Sequence, residues 1–312
     1  MNSRPWRIAV TGAAGFVGSV FLKLVAELGK PDIEAISLFG EKAGDIRDSA
    51  QVSQAMSATR PDVVLHLAAI AAPSAARADP STAWQVNVMG TLHIAQAIRE
   101  QSPKTRLLFV GSSEAYGGSF LTSPSALAET AALLPRGTYA ASKAAGDLMI
   151  GQMSLDGLEA VRFRPFNHSG PGQSPSYVLP AFAQQVAWIE SGRQAPVLSV
   201  GNLDAERDFL DVRDVARAYL LAALPTTQIP TGSVFNIATG HPLRIGLLLS
   251  LLLEQAKVPI EVHVDAAKLR PNDIPRASGD PRAARDHLGW QPLIALEQTI
   301  ADVLSFYRSR FE

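Results

Sequence analysis

Tyr139-Ala140-Ala141-Ser142-Lys143 sets a phenol and an ammonium four residues apart, which on a helix is a single face. A cation beside a phenol favours the phenolate, so this spacing predicts a Tyr139 pKa below the ordinary value of about 10. A phenol tuned in that way exchanges protons near neutral pH, which is general acid–base chemistry. Upstream, Arg106-Leu107-Leu108-Phe109-Val110 reads as a buried strand, and Gly111-Ser112-Ser113-Glu114-Ala115-Tyr116-Gly117 follows its carboxyl end. A hydroxyl at that position faces a ligand. Ser112 can therefore orient a carbonyl or alcohol oxygen while Tyr139 transfers the proton and Lys143 tunes the phenol.

The elements that must position these groups begin at the amino terminus. The short apolar run 7–10 ends in Thr11-Gly12-Ala13-Ala14-Gly15-Phe16-Val17-Gly18, and an amphipathic pattern with Phe21, Leu22, Leu24 and Val25 follows. The order is strand, glycine turn, helix. Gly12, Gly15 and Gly18 let the backbone turn sharply and approach a pyrophosphate, and the helix N-terminus behind them supplies N–H groups and a favourable dipole. Phe16 and Val17 lie in the same loop. The spacing, G-x-x-G-x-x-G, is a variant of the usual dinucleotide fingerprint. The expected cofactor is NADP or NAD, and Lys143 gains a second role in holding the nicotinamide ribose.

A second strand is predicted over 33–39. Sites of this kind often carry an acid at its end to hold the ribose 2′-OH of NAD, but Ser37-Leu38-Phe39-Gly40-Glu41-Lys42 points to neither cofactor. Asp45, followed by Ile46, reads equally as an acceptor for the adenine amino group and as the N-cap of a helix that starts near Ser49. Asp62-Val63-Val64-Leu65-His66-Leu67-Ala68-Ala69 is a continuous apolar run of the parallel-strand type. It ends in Leu67, Ala68 and Ala69, small enough at its close for a flat cofactor to lie against the sheet. His66 reads as a packed side chain, and Asn87, in a long helical pattern, as mainly structural.

Composition narrows the classes of function. The 312 residues carry 47% hydrophobic and 18% charged side chains and a net charge of -1, enough to bury a core and without the basic blocks of a nucleic-acid-binding surface. There is no cysteine, so disulfides, thiolate nucleophiles and cysteine-bound metals are excluded, and no metal site is expected. The start lacks a signal-peptide core, and the apolar run 245–253 is too short to cross a bilayer. The expectation is a cytoplasmic protein with no membrane partner.

These motifs together resemble the extended short-chain dehydrogenase/reductases, in the branch that acts on nucleotide sugars. The resemblance is carried by Thr11 to Gly18, Asp45-Ile46, His66 to Ala69, Ser112 to Gly117, Tyr139 to Lys143, Arg164-Pro165-Phe166-Asn167, Arg207-Asp208-Phe209, Asp211 to Val215 and Arg270-Pro271. It spans nearly the whole chain. It implies an α/β architecture, with a Rossmann-type doubly wound parallel sheet over 1–166 and a smaller α/β substrate lobe over 167–312, some of whose segments return to the first unit. It also implies a homodimer built on a shared helix bundle. Phe166 to Gln173 and Val200 to Phe209 are most similar to the GDP-mannose branch, and within it to reductases of the 4-keto-6-deoxy sugar, whose product is GDP-rhamnose. The sibling 4,6-dehydratases have a longer chain and an arginine-bearing loop after the second strand, and both features are missing here. The dehydratases, however, use an acid two residues after the catalytic hydroxyl as base at C5, and Glu114 stands there. The alternatives are thus a 4,6-dehydratase, a C4 epimerase and, least favoured, a non-enzymatic NAD(P) sensor.

From Gly170-Pro171-Gly172-Gln173-Ser174-Pro175 the pattern becomes loop-like, followed by predicted helices over 179–190, 245–255 and 295–307 and a returning strand over 232–238. A diphosphate calls for arginine, the side chain that bonds phosphate bidentately. The resemblance assigns that role to Arg207 and Arg270, and Asn167 is placed to donate to a phosphate or sugar oxygen.

Overall fold

The computed structural model describes residues 4–40, 44–269 and 273–311. Six parallel strands form the central sheet: β1 Trp6–Thr11, β2 Ile33–Ser37, β3 Val63–His66, β4 Arg106–Val110, β5 Ala160–Pro165 and β6 Val234–Ile237. Their order is β6-β5-β4-β3-β1-β2. The chain reverses direction across the sheet between β1 and β3, whose register pairs Thr11 with His66 at their carboxyl ends. Ligands of open α/β sheets bind at such a switch point.

The strands are apolar on both faces because helices cover both. Ile8, Val10, Leu65, Leu108 and Phe163 pack with Phe21 and Val25 of helix α1, Phe16–Glu27, and with Val215 and Tyr219 of the helix Val212–Ala223. On the other face Ala9, Val64, Leu107 and Phe109 meet Val52 and Met56 of helix α2, Ser49–Thr59, with Ile94 and Ile98, and with Ile150 and Met153 of helix α3, Thr138–Leu155. Alternate residues of β1 fall into the two clusters, as the period of a strand requires. Pro80–Trp84, Gln85–Gly90 and Thr91–Gln101 follow one another as helix, with a π-helical middle segment.

A separate apolar cluster builds the C-terminal part, with Leu179, Phe182 and Val186 against Leu248, Leu252, Ile300 and Val303. Short strands pair outside the main sheet. Glu206–Arg207 lies between Leu243–Arg244 and Arg276–Ala277, and Asn167–Ser169 pairs in parallel with Phe209–Asp211. The two parts are interleaved rather than consecutive: β6 lies in the main sheet, and Trp290 is buried and donates its indole N–H to the Asp214 carbonyl. Asp208, fully buried, accepts from the Thr239 amide and hydroxyl and from the Gly240 amide. That carboxylate ties the small strands to the turn leaving β6. The helices run over Val178–Glu190, Ile245–Leu253 and Leu296–Arg308, each within two residues of the sequence pattern at either end. No helix of the described residues is long and apolar enough to cross a membrane.

Candidate active site

β1 delivers the chain into the glycine turn. Gly12 has a φ of +68°, and a Cβ there would stand 2.9 Å from the Ala68 amide nitrogen. A side chain at this position would therefore be strained and would wedge β1 from the loop after β3. A Cβ on Gly18 would lie 2.3 Å from the Gly12 carbonyl oxygen, so α1 can seat against the turn only with glycine there. Gly15 is the N-cap of α1, with extended backbone and no side-chain cap. The first N–H groups of the helix thus lack intrahelical partners and open onto the switch point. This cradle fits a dinucleotide pyrophosphate on its own geometry. Phe16 stacks on His168 with ring centroids 6.4 Å apart and planes 1° from parallel.

Below the turn runs a buried hydrogen-bond chain. Thr91 Oγ1 donates to the Asn87 carbonyl (2.8 Å) and so accepts from His66 Nε2 at 2.9 Å. His66 Nδ1 then accepts from Thr11 Oγ1 at 2.8 Å, and that oxygen accepts from the Leu67 and Ala68 amides, both at 3.1 Å. Every proton in the chain, and both nitrogens of the ring, are used when His66 is the neutral Nε2–H tautomer. Burial, with the nearby Lys143 charge, holds its pKa down at about 3. His66 therefore fixes the backbone at Leu67 and Ala68, and a structural role is the one observed. Asn87 acts similarly. It accepts from the Ile70 amide at 2.8 Å and donates to Ser142 Oγ at 2.9 Å, binding the loop after β3 to α3.

Ser112 leaves β4 as the N-cap of a 3₁₀ turn, accepting from the Glu114 amide. Its hydroxyl lies near enough to the Tyr139 phenol to favour the phenolate. Tyr139 and Lys143 lie one turn apart at the start of α3. The expected tuning is not what the structure shows. Lys143, 6% exposed, donates to the Val110 carbonyl at 2.7 Å and lies 5.5 Å from the Phe109 ring centroid. It brings no lowering of the Tyr139 pKa. Burial raises that pKa above the ordinary phenol value, the Glu114 carboxylate adds to the rise, the Ser112 hydroxyl opposes it and the Tyr177 phenol adds a further increment. Tyr139 is thus held in its protonated form. Burial also lowers the Lys143 pKa to about 8.

Glu114 is exposed, and its charge is felt by both Tyr139 and Tyr177. Tyr177, at the N-cap of the helix Val178–Glu190, and His168 are two aromatic residues at the site that sequence reasoning missed. Their signal was spatial: one arrives on a loop of the C-terminal part, the other beside the glycine turn. The Asp45 carboxylate accepts from the Arg47 amide at 2.9 Å and pairs with the Arg47 guanidinium at 2.5 Å. Asp48, not Asp45, caps α2, accepting from the Ala50 and Gln51 amides. The N-cap reading of Asp45 is corrected accordingly. Ile46 is buried beneath Gly90 and offers its carbonyl to His93.

Asn167 is exposed, and the strand register pairs it with Phe209, two residues beyond Arg207. Arg207 pairs with Asp273 at 2.6 Å and donates to the Glu206 and Ile274 carbonyls. Arg270 lies outside the described residues, as do Glu41 and Lys42. Arg164, which shares a motif with Asn167, is no ligand residue: buried with Asp147, it pairs with that carboxylate through two bonds of 2.9 Å and donates to the Tyr116 hydroxyl. A surface cavity of 580 Å³ lined by Arg4, Arg60 and Lys104 lies at the amino ends of the strands, away from all of this chemistry. The topology, not the size of that cavity, locates the active site.

A dinucleotide cradle at the switch point of a parallel sheet, beside a serine, a protonated tyrosine and a buried lysine, defines an NAD(P)-dependent oxidoreductase of Rossmann type. The chain belongs to the GDP-mannose 4,6 dehydratase family, which matches residues 9–303. It is 34% identical to GDP-6-deoxy-D-mannose reductase of Pseudomonas aeruginosa over 97% of this chain and 98% of that protein. The structure of RMD from Pseudomonas aeruginosa complexed with NADPH superposes with a TM-score of 0.89 at 32% identity, covering 98% of this chain and 99% of that one. The UDP-glucose 4-epimerase of Thermus thermophilus, in complex with NAD, gives 0.82 at 26% identity, covering 97% and 99%.

Proposed function

We propose that the protein reduces the C4 ketone of GDP-4-keto-6-deoxy-D-mannose to GDP-D-rhamnose with NADPH. The observation that carries this reading is a tyrosine held protonated beside Ser112 at the mouth of the dinucleotide cradle, in a chain whose similarity to a reductase of that sugar runs end to end. The bound nicotinamide supplies the hydride. Ser112 donates to the ketone oxygen and polarises it. Tyr139 gives its proton to the same oxygen as negative charge develops there. Solvent then restores the phenolic proton. Lys143 holds positive charge near the reacting oxygen and reaches the nicotinamide ribose when the cofactor sits in the cradle. The cradle itself is Gly12, Gly15, Phe16, Val17 and Gly18, with Leu67, Ala68 and Ala69 flooring it and Asp45 and Ile46 toward the adenine. NADPH is favoured over NADH because the RMD structure, similar to this chain over nearly its whole length, was obtained with NADPH.

The diphosphate reads onto Arg207, with Asn167 on the neighbouring strand and Arg270 completing the set, and anchoring it there aligns C4 with the reacting groups. The native state is proposed to be a dimer of cytoplasmic protein. Trp84 (42% exposed) and Met89 (44%) on one helix, and Leu148 (63%) and Leu155 (89%) on α3, leave apolar surface that a second copy would cover.

Glu114 supports a second reading, a 4,6-dehydratase, because a carboxylate beside Tyr139 can take a proton next to a ketone. Substrate choice separates the two. Stoichiometric NADPH oxidation is expected with GDP-4-keto-6-deoxy-D-mannose and none with GDP-mannose. Formation of the 4-keto sugar from GDP-mannose without added reductant would reject the reductase.

A further inference from the structure

Among the described residues, Arg207 donates to three acceptors. Nη1 donates to the Glu206 carbonyl at 2.9 Å and to the Ile274 carbonyl at 2.7 Å, and Nη2 donates to Asp273 Oδ1 at 2.6 Å. The Asp273 carboxylate is itself held, because Asn202 Nδ2 donates to its other oxygen at 3.1 Å, while Asn202 Oδ1 accepts from the Asp204 amide. A chain thus runs from the loop after the strand Val197–Val200 through Asn202 and Asp273 to the guanidinium.

These bonds are not needed to hold the segment that carries Asp273. Backbone hydrogen bonds already do so: the Glu206 amide donates to the Pro275 carbonyl at 2.7 Å, the Asp208 amide donates to the Ala277 carbonyl at 3.2 Å, and Arg276–Ala277 pairs in parallel with Glu206–Arg207. Nor is the ion pair a strong contributor to stability. Its side chains are 17% and 19% exposed, and pairs at such sites contribute little once desolvation is counted. What the contacts do fix is the rotamer and plane of a long side chain that would otherwise sample many conformations.

We propose that Asp273, supported by Asn202, is a positioning residue that orders Arg207 for the diphosphate of the nucleotide substrate. This rests on the reading of Arg207 as a phosphate ligand. An arginine left to be ordered on binding weakens the complex about tenfold. The negative charge of Asp273 also repels a diphosphate, but across a partly exposed site solvent screens that repulsion. Ordering is therefore the larger effect.

The test measures GDP binding by calorimetry on the NADP⁺-saturated protein, with thermal melting as a check on folding. Asp273→Asn is expected to weaken GDP about tenfold, to raise the KM for the sugar nucleotide by a similar factor and to leave kcat within twofold. Asn202→Ala, which keeps the charge of Asp273, is expected to shift affinity in the same direction by a smaller factor. Arg207→Met should weaken GDP about 100-fold, the loss of a charge-assisted contact. On that background Asp273→Asn should add nothing. Unchanged GDP affinity in both Asp273→Asn and Asn202→Ala would overturn the proposal. So would an Asp273→Asn effect that persists undiminished in the double variant, which would place Asp273 on the ligand itself. If Arg207→Met leaves GDP affinity unchanged, the reading of Arg207 fails first and the positioning role falls with it.

Discussion

The two ends of the proposed substrate are met by very different parts of this molecule. Around Tyr139 the site is built before any ligand arrives. Lys143 and Ser112 are buried, Gly12 admits no side chain, and His66 locks Thr11 to the loop that would floor the cofactor. Around Arg207 the surface is polar and partly open, Asn167 is exposed, and the guanidinium is held by a side-chain pair rather than by a core. The contrast follows from the chemistry required. Proton transfer tolerates little displacement and gains from a dry surrounding, whereas a diphosphate is recognised by charge and by bonds that can form as it docks. The reactive end is specified by packing, and the anchoring end by electrostatics.

The largest expected effect lies at the reactive end. Tyr139→Phe should lower kcat by about 10²- to 10⁴-fold, the range for loss of a general acid, while NADPH and GDP affinities stay within threefold by titration. If GDP affinity fell as far as kcat, the two ends would not be separable in this way.

Lys143→Met sharpens the comparison in the opposite sense. The lysine pKa is pulled from 10.5 to about 8, so at pH 7 the folded state bears the cost of a buried charge. Removing it should stabilise the protein by up to about 3 kcal/mol at pH 7, less what the orphaned Val110 carbonyl takes back. Between the folded value of about 8 and the unfolded value the unfolded chain binds more protons, so wild-type stability gains on the variant as pH rises through that window. Denaturation at pH 7 and pH 10 would show the difference shrinking, even though the variant is inactive at both. In the wild type, turnover should fall as Lys143 loses its proton above about pH 8.

His66 gives the smallest effect and one confined to stability. Its folded pKa of about 3 lies below the unfolded value of 6.5. Stability is therefore fully present above 6.5 and is lost as pH falls below it, by up to about 1.4 kcal/mol per pH unit. His66→Gln should flatten that slope in melts taken between pH 6.5 and pH 5.

Much of the reactive end was legible in the sequence because it is written in local spacing. The glycine turn, the Tyr139–Lys143 helical repeat and the apolar strand runs each carry their own signal, and the sheet and the cradle follow from them. The tuning of Tyr139 was not legible, since it depends on burial and on where Lys143 Nζ finds an acceptor, the Val110 carbonyl thirty-three residues away. Asp45 and Asp48 are alike as caps in sequence, and only Arg47, drawing the first carboxylate to itself, decides between them. Tyr177 and His168 join the site through the path of a loop and a short strand of the C-terminal part, which periodicity does not encode. Asp273 escaped notice for the same reason, because its meaning lies in an ion pair across 66 residues.

The central claim is that Tyr139 and Ser112 serve a hydride delivered to C4 of a keto sugar. NADPH carrying deuterium at the transferable position, incubated with GDP-4-keto-6-deoxy-D-mannose, tests it most directly. One deuterium at C4 of the GDP-rhamnose product, with one NADP⁺ formed per product, is the predicted result. A product without deuterium at C4, or sugar turnover with no NADPH consumed, would contradict it.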